Sequence, residues 1–100
     1  MFGNLFGAPS HRRSADEGRA LVDAGATLVD VRTPAEFASG HCRGAVNIPL
    51  QVLGGRMGEI PRDKPVVLYC HSGGRSARAA SMLAGSGFEQ VCDVGPMPRW

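Results

Sequence analysis

Two short β-branched runs, Thr27-Leu28-Val29-Asp30-Val31 and Val66-Val67-Leu68-Tyr69, each give way almost at once to a helix start. That rhythm limits the folds open to the chain. Runs this apolar suit strands covered on both faces, as in parallel sheets. The helix starts are written out in capping boxes. Ser14-Ala15-Asp16-Glu17 opens one helix, and Thr33-Pro34-Ala35-Glu36 opens another with proline at its first position. The first helix carries Leu21 and Val22 and is expected to end near Gly25; the second runs through Phe37 to Gly40.

Further along, Ala45-Val46-Asn47-Ile48 reads as an extended piece halted by Pro49, and 50–60 as a helical stretch interrupted by Gly54-Gly55. Pro61-Arg62-Asp63-Lys64-Pro65 reads as a turn. After the second apolar run, Ala77, Ala80, Leu83 and Ala84 recur at helical spacing, so a helix is expected from about Gly74 to Leu83, closed by Gly85 and Gly87. Val91-Cys92-Asp93-Val94 supplies a last strand. Strands alternating with helices predict an α/β domain with a small, mainly parallel sheet flanked by helices. Ligands bind beyond the carboxyl ends of the strands in such sheets. Cys70 and Arg32 both leave strands at that edge.

At 100 residues the chain makes one domain, long enough to bury about 60% of its unfolded surface around a single core. Residues 1–13 are expected to form an N-terminal arm, loose or packed at an edge through Phe2, Leu5 and Phe6, ahead of a domain over 14–100. The N-terminus lacks the basic and long apolar regions of a secretory signal. No apolar run approaches the length of a membrane span. A net charge of +2, with the arginines scattered, gives no footprint for nucleic acid. Three cysteines at wide intervals make no disulfide framework and fit a reduced, cytoplasmic setting.

The chemistry points to Cys70-His71-Ser72-Gly73-Gly74-Arg75-Ser76. A cysteine at the carboxyl end of a buried strand, followed by a glycine-containing loop and a helix start, is placed to ionise. Loop N–H groups can converge on the sulfur, and the helix N-terminus and a neighbouring arginine add positive charge. Lowering the pKa from about 8.5 to about 6.5 raises the thiolate fraction at pH 7 from roughly 3% to roughly 75%. Cys70 is therefore the expected nucleophile, with Arg75 as an anion-binding cation. Gly73 supplies a backbone conformation that a side chain would forbid. Ser76 is a hydrogen-bonding residue of the loop or helix, or a further donor to the sulfur. Arg32 is open between an anion site at the cleft mouth, an ion pair with Glu36, and hydrogen bonding with Asp30.

These motifs resemble the rhodanese family of sulfurtransferases from about Ser14 to Trp100. The resemblance rests on Leu28-Val29-Asp30-Val31-Arg32 with Glu36-Phe37, on Gly40-His41 and Gly44-Ala45-Val46-Asn47-Ile48-Pro49, on the Cys70-x-x-Gly73-x-Arg75-Ser76 loop, and on Gly95 to Trp100. It implies a three-layer rhodanese-like fold and covalent catalysis. Cys70 would take sulfane sulfur from a small anionic donor such as thiosulfate and hold it as a persulfide. A thiophilic acceptor would collect it: cyanide in an assay, a thiol or partner protein in the cell. It also implies a substrate site formed by His71, Ser72, Gly73, Gly74, Arg75 and Ser76, with Arg32 at its edge. His71 stands where the family often has arginine, Cys42 where it has an apolar β-branched residue, and Gly95-Pro96 where it has two glycines.

Cysteine-loop phosphatases and arsenate reductases place five residues between cysteine and arginine. Here there are four, which favours cradling a sulfur atom over a tetrahedral oxyanion. The rival of another class is a persulfide-carrying or partner-docking module with little turnover of its own. His41-Cys42 and Cys70-His71 match no standard zinc pattern, so neither metal nor cofactor is expected beyond the covalent persulfide. Cys42 and Cys92 read as packing residues, with a resolving-thiol role as the other possibility.

Overall fold

The computed structural model describes residues 10–100. Phe2, Leu5 and Phe6, and most of the expected arm with them, lie outside the described residues. The elements are α1 (Ala15–Asp23), β1 (Thr27–Asp30), α2 (Pro34–Ala38), β2 (Val46–Asn47), α3 (Leu50–Arg56), a 3-10 turn (Met57–Glu59), β3 (Val66–Cys70), α4 (Gly74–Gly85) and β4 (Val91–Pro96). The four strands form one parallel sheet in the order β2-β1-β3-β4.

Both capping boxes form as their residue types require. The Ser14 side chain accepts from the Glu17 N–H at 3.1 Å, and the Glu17 carboxylate accepts from the Ser14 N–H at 3.1 Å. Thr33 and Glu36 repeat the exchange at 3.1 and 2.9 Å. The α3 helix runs unbroken through Gly54-Gly55. Each glycine costs a helix about 1 kcal/mol relative to alanine. Burial of Leu53, which is fully covered, offsets that cost.

Side-chain alternation along β3 sorts the core into two layers. Val66, Leu68 and Cys70 point to one face, where they meet Val29, Val31 and Ile48, Leu53 of α3, and Ala79, Ala80 and Leu83 of α4. Val67 and Tyr69 point to the other face, with Leu28, Cys42, Cys92 and Val94, and with Leu21 and Val22 of α1 packed against them. The result is a three-layer α/β domain. Close approach of α1 to the sheet depends on Gly18, where an added Cβ would lie 2.4 Å from Val94 Cγ1.

One strand-like contact lies outside the four strands. Residues 11–13 run parallel to β4 and bridge it at Arg12 and Asp93. The Asp93 N–H donates to the His11 carbonyl and the Arg13 N–H to the Asp93 carbonyl, both at 2.9 Å. Within β4 the register steps between Asp93, which pairs with Leu68, and Gly95, which pairs with Tyr69. Asp93 Oδ1 accepts the Gly95 N–H at 2.8 Å and holds that step in place.

Candidate active site

Cys70 is the last residue of β3, and strand alternation turns its sulfur toward α4. Three residues later Gly73 adopts φ +103°, a left-handed conformation open to glycine, and α4 begins at Gly74. This sharp turn brings the Gly73 N–H to 3.0 Å from Cys70 Sγ. From the first turn of α4, Ser76 sets its Oγ 3.5 Å from the same sulfur, where it accepts the thiol hydrogen. The Ser76 hydroxyl donates in turn to the Gly73 carbonyl at 3.2 Å. Strand, loop and helix therefore all contribute a group to one sulfur atom.

Opposing influences act on that sulfur. Burial is the largest and raises the Cys70 pKa, because desolvation disfavours a thiolate. Against it stand the Ser76 hydroxyl and the backbone N–H groups of Ser76, Gly73 and Ser72. The hydrogen bonds prevail, and the Cys70 pKa lies below the ordinary cysteine value. For Cys42 and Cys92 burial is again the largest influence, and there it wins, so both are pushed up. Those two thiols belong to the core layer on the far side of the sheet from Cys70. This separation gives neither a path to act as a resolving thiol. Cys42 Sγ contacts the Pro98 carbonyl at 3.6 Å.

Arg75 lies beside the loop, but its guanidinium is already engaged. It makes two hydrogen bonds to Glu36 of α2, at 2.7 and 3.0 Å. That pairing first, and the Thr33 backbone second, hold the Glu36 carboxyl down to about 2. The sequence reading of Glu36 is a helix cap and an optional partner for Arg32; in the structure the same Oε1 serves both the Thr33 N–H and Arg75. The lowered pKa of Cys70 thus comes first from hydrogen bonds of the loop and the start of α4, and the expected Arg75–Cys70 charge interaction is present behind the pairing of Arg75 with Glu36.

Arg32 takes the Asp30 role among those the sequence leaves open. Its Nε lies 3.0 Å and its Nη2 2.6 Å from Asp30 Oδ2, and Nη2 also donates to the Gly40 carbonyl at 2.7 Å. The residue is 5% exposed and lies over the Tyr69 ring. With these donors engaged inward, Arg32 is a strut between β1 and the Gly40 turn. The ion pair with Glu36 belongs to Arg75 instead.

His71 and Ser72 are exposed at the loop crest, whereas Cys70 itself is fully covered. A depression of about 390 Å³ lies over the loop, walled by Leu50, Ser72, Gly74, Arg75 and Arg78. Leu50 and Arg78 join the site only through the fold. Among the described residues no three His, Cys, Asp or Glu side chains gather as a metal cluster. The His41 ring stacks on Phe37 at 3.6 Å and donates from Nδ1 to the Phe37 carbonyl at 2.8 Å. Among the described residues no helix is long and apolar enough to cross a membrane.

The family model described as a rhodanese-like domain matches residues 14–95. An uncharacterized Bacillus subtilis protein, YqhL, is 47% identical over 76 residues, which cover 75% of this chain; the chain spans 60% of that protein's length. A Pseudomonas syringae thiosulfate sulfurtransferase, GlpE, is 38% identical over 86 residues, covering 85% of this chain and 81% of its own. Among solved structures, the human single-domain sulfurtransferase TSTD1 superposes with a TM-score of 0.74 at 30% identity, covering 93% of this chain and 94% of its own.

Proposed function

This chain belongs to the rhodanese-like domain family, and we propose that it moves sulfane sulfur from thiosulfate or a similar anionic donor to a thiophilic acceptor through a persulfide on Cys70. The observation that carries the reading is the convergence on one sulfur: the Gly73 N–H at 3.0 Å and the Ser76 hydroxyl at 3.5 Å. These groups favour the thiolate over the thiol.

In the first step the Cys70 thiolate attacks the outer sulfur of thiosulfate. A Cys–S–S bond forms, the bond between the two donor sulfurs breaks, and sulfite leaves with that bond's electron pair. In the second step cyanide, or a cellular thiolate, attacks the outer sulfur of the persulfide. The Cys70 thiolate departs and is restored. The Gly73 N–H already faces the Cys70 sulfur, so a donor is in place when the thiolate attacks and when it is restored. The exposed His71 and Ser72, with Gly74, Arg75 and Ser76 behind them, form the route by which the donor arrives. A free Cys70 requires a reducing compartment, which suits the cytoplasm.

The role of Arg75 also separates this reading from phosphate chemistry. A phosphate-binding loop needs its arginine turned to the ligand, whereas Arg75 is turned to Glu36. The direct test is thiocyanate formation from thiosulfate and cyanide, which should proceed with the wild-type protein and stop in Cys70→Ser. Hydrolysis of an aryl phosphate without thiocyanate production would contradict the proposal. Persulfide formation without turnover would mark the chain as a carrier module.

A further inference from the structure

The Gly73 carbonyl oxygen receives three donors: the Ala77 N–H at 3.1 Å, the Ser76 hydroxyl at 3.2 Å and Arg12 Nη2 at 3.1 Å. A carbonyl oxygen has two lone pairs. With Arg12 and the Ala77 N–H filling them, the Ser76 hydroxyl can leave and the oxygen keeps a donor on each lone pair. The same Ser76 Oγ stands 3.5 Å from Cys70 Sγ. When Cys70 loses its proton, the sulfur ceases to donate and needs donors. Rotation of one hydroxyl meets that need.

Arg12 has a half-exposed side chain that is nonetheless tethered at several points. Its backbone lies between the two bridge hydrogen bonds to β4, and its Nε donates to Asp93 Oδ2 at 3.1 Å. Asp93 is buried and is fixed through its other oxygen by the Gly95 N–H. The guanidinium occupies a slot between two glycines. A Cβ added at Gly73 would lie 3.1 Å from Nη2, and one added at Gly95 would lie 2.8 Å from Nη1. Backbone bridge, buried carboxylate and glycine slot all aim Arg12 at the loop.

We propose that Arg12 is a positioning residue of the active loop, which by taking up the Gly73 carbonyl frees the Ser76 hydroxyl to turn its proton to the Cys70 sulfur. The inference rests on Cys70 acting as the nucleophile, but its effect is readable without any sulfur transfer. Other charged or titratable groups around the loop are His71, Arg75 with Glu36, and Arg78 on the next turn of α4. They stay in place in every variant below.

The test is the pH dependence of Cys70 alkylation by iodoacetamide, followed at the Cys70 peptide by mass spectrometry. Arg12→Met should raise the apparent Cys70 pKa by roughly half a unit to one unit, the size of one hydrogen bond. Ser76→Ala should raise it similarly, and the double variant should show no rise beyond that of Ser76→Ala alone. Equal shifts from Arg12→Met in the presence and absence of Ser76 would overturn the proposal, because the arginine would then act only as a distant charge. No shift from Arg12→Met would overturn it as well. Should Arg12→Met fail to fold, Asp93→Asn supplies the second route. It keeps an acceptor for Gly95 but turns a donor toward Arg12, and it must show the same dependence on Ser76. A protein that takes up no sulfur from thiosulfate can still give this titration, so the two ideas fail separately.

Discussion

Arg75 and Glu36, 39 residues apart in sequence, are joined by two parallel hydrogen bonds of 2.7 and 3.0 Å at the rim of the Cys70 loop. The pair ties α4 to α2 and presents the rim arginine with its charge already balanced. An incoming anion therefore meets a guanidinium it must share. Planar two-point pairing of this kind is the stronger form of charged hydrogen bond.

Replacing Glu36 by Gln should leave the arginine fully charged and freer to meet an anion. Glutamine can still serve at the third position of the capping box. The expected outcome is a lower KM for thiosulfate, by about two- to fivefold, the scale of a solvent-screened ion pair. Steady-state kinetics with thiosulfate varied and cyanide saturating would measure it.

The same pair sets an acid limit. The Glu36 pKa is depressed to about 2 from 4.5, so its contribution to stability is fully present above pH 4.5 and is lost as pH falls toward 2. Thermal midpoints of wild type and Glu36→Gln should differ most at neutral pH and converge across that window. A gap that stays constant from pH 6 to pH 2 would remove the pair from the account.

Gly73→Ala asks a side chain to adopt φ +103° and to sit 3.1 Å from Arg12. Strain of about 1–2 kcal/mol should be relieved by turning the loop, which takes the Gly73 N–H off the sulfur. The variant should fold, alkylate at Cys70 with a higher pH midpoint than wild type, and lose most of its sulfur transfer. Circular dichroism with an alkylation titration separates loss of the loop from loss of the fold.

Gly18→Ala acts far from the loop. The added methyl would meet Val94 Cγ1 at 2.4 Å and push α1 from the sheet. Overpacking of this kind costs about 1–3 kcal/mol. The urea midpoint should fall with the slope of the transition unchanged.

What the sequence discloses here is what neighbours in sequence decide. Both capping boxes, the buried β3 run and the Cys70 turn depend on residues a few places apart, and each forms where its side chains require. The pairing of Arg75 with Glu36 and of Arg12 with Gly73 spans 39 and 61 residues. Neither leaves a mark in local pattern, because each partner already has another reading: Glu36 as a helix cap, Arg75 as an anion-binding cation, Gly73 as a turn glycine and Arg12 as one of the scattered arginines. Arg32 shows the converse case. It exits a strand at the binding edge, but Asp30 two residues earlier provides a buried carboxylate before any ligand can. Length of α3 is the other departure, since Leu53 burial outweighs two glycines whose local cost alone argues for a break.

The central claim is that Cys70 carries sulfur covalently, and intact-mass spectrometry after incubation with thiosulfate tests it most directly. The wild-type chain should gain one sulfur atom, lose it on addition of cyanide, and gain none when Cys70 is replaced by serine. A wild-type mass unchanged by thiosulfate, or an adduct that persists in Cys70→Ser, would contradict the account.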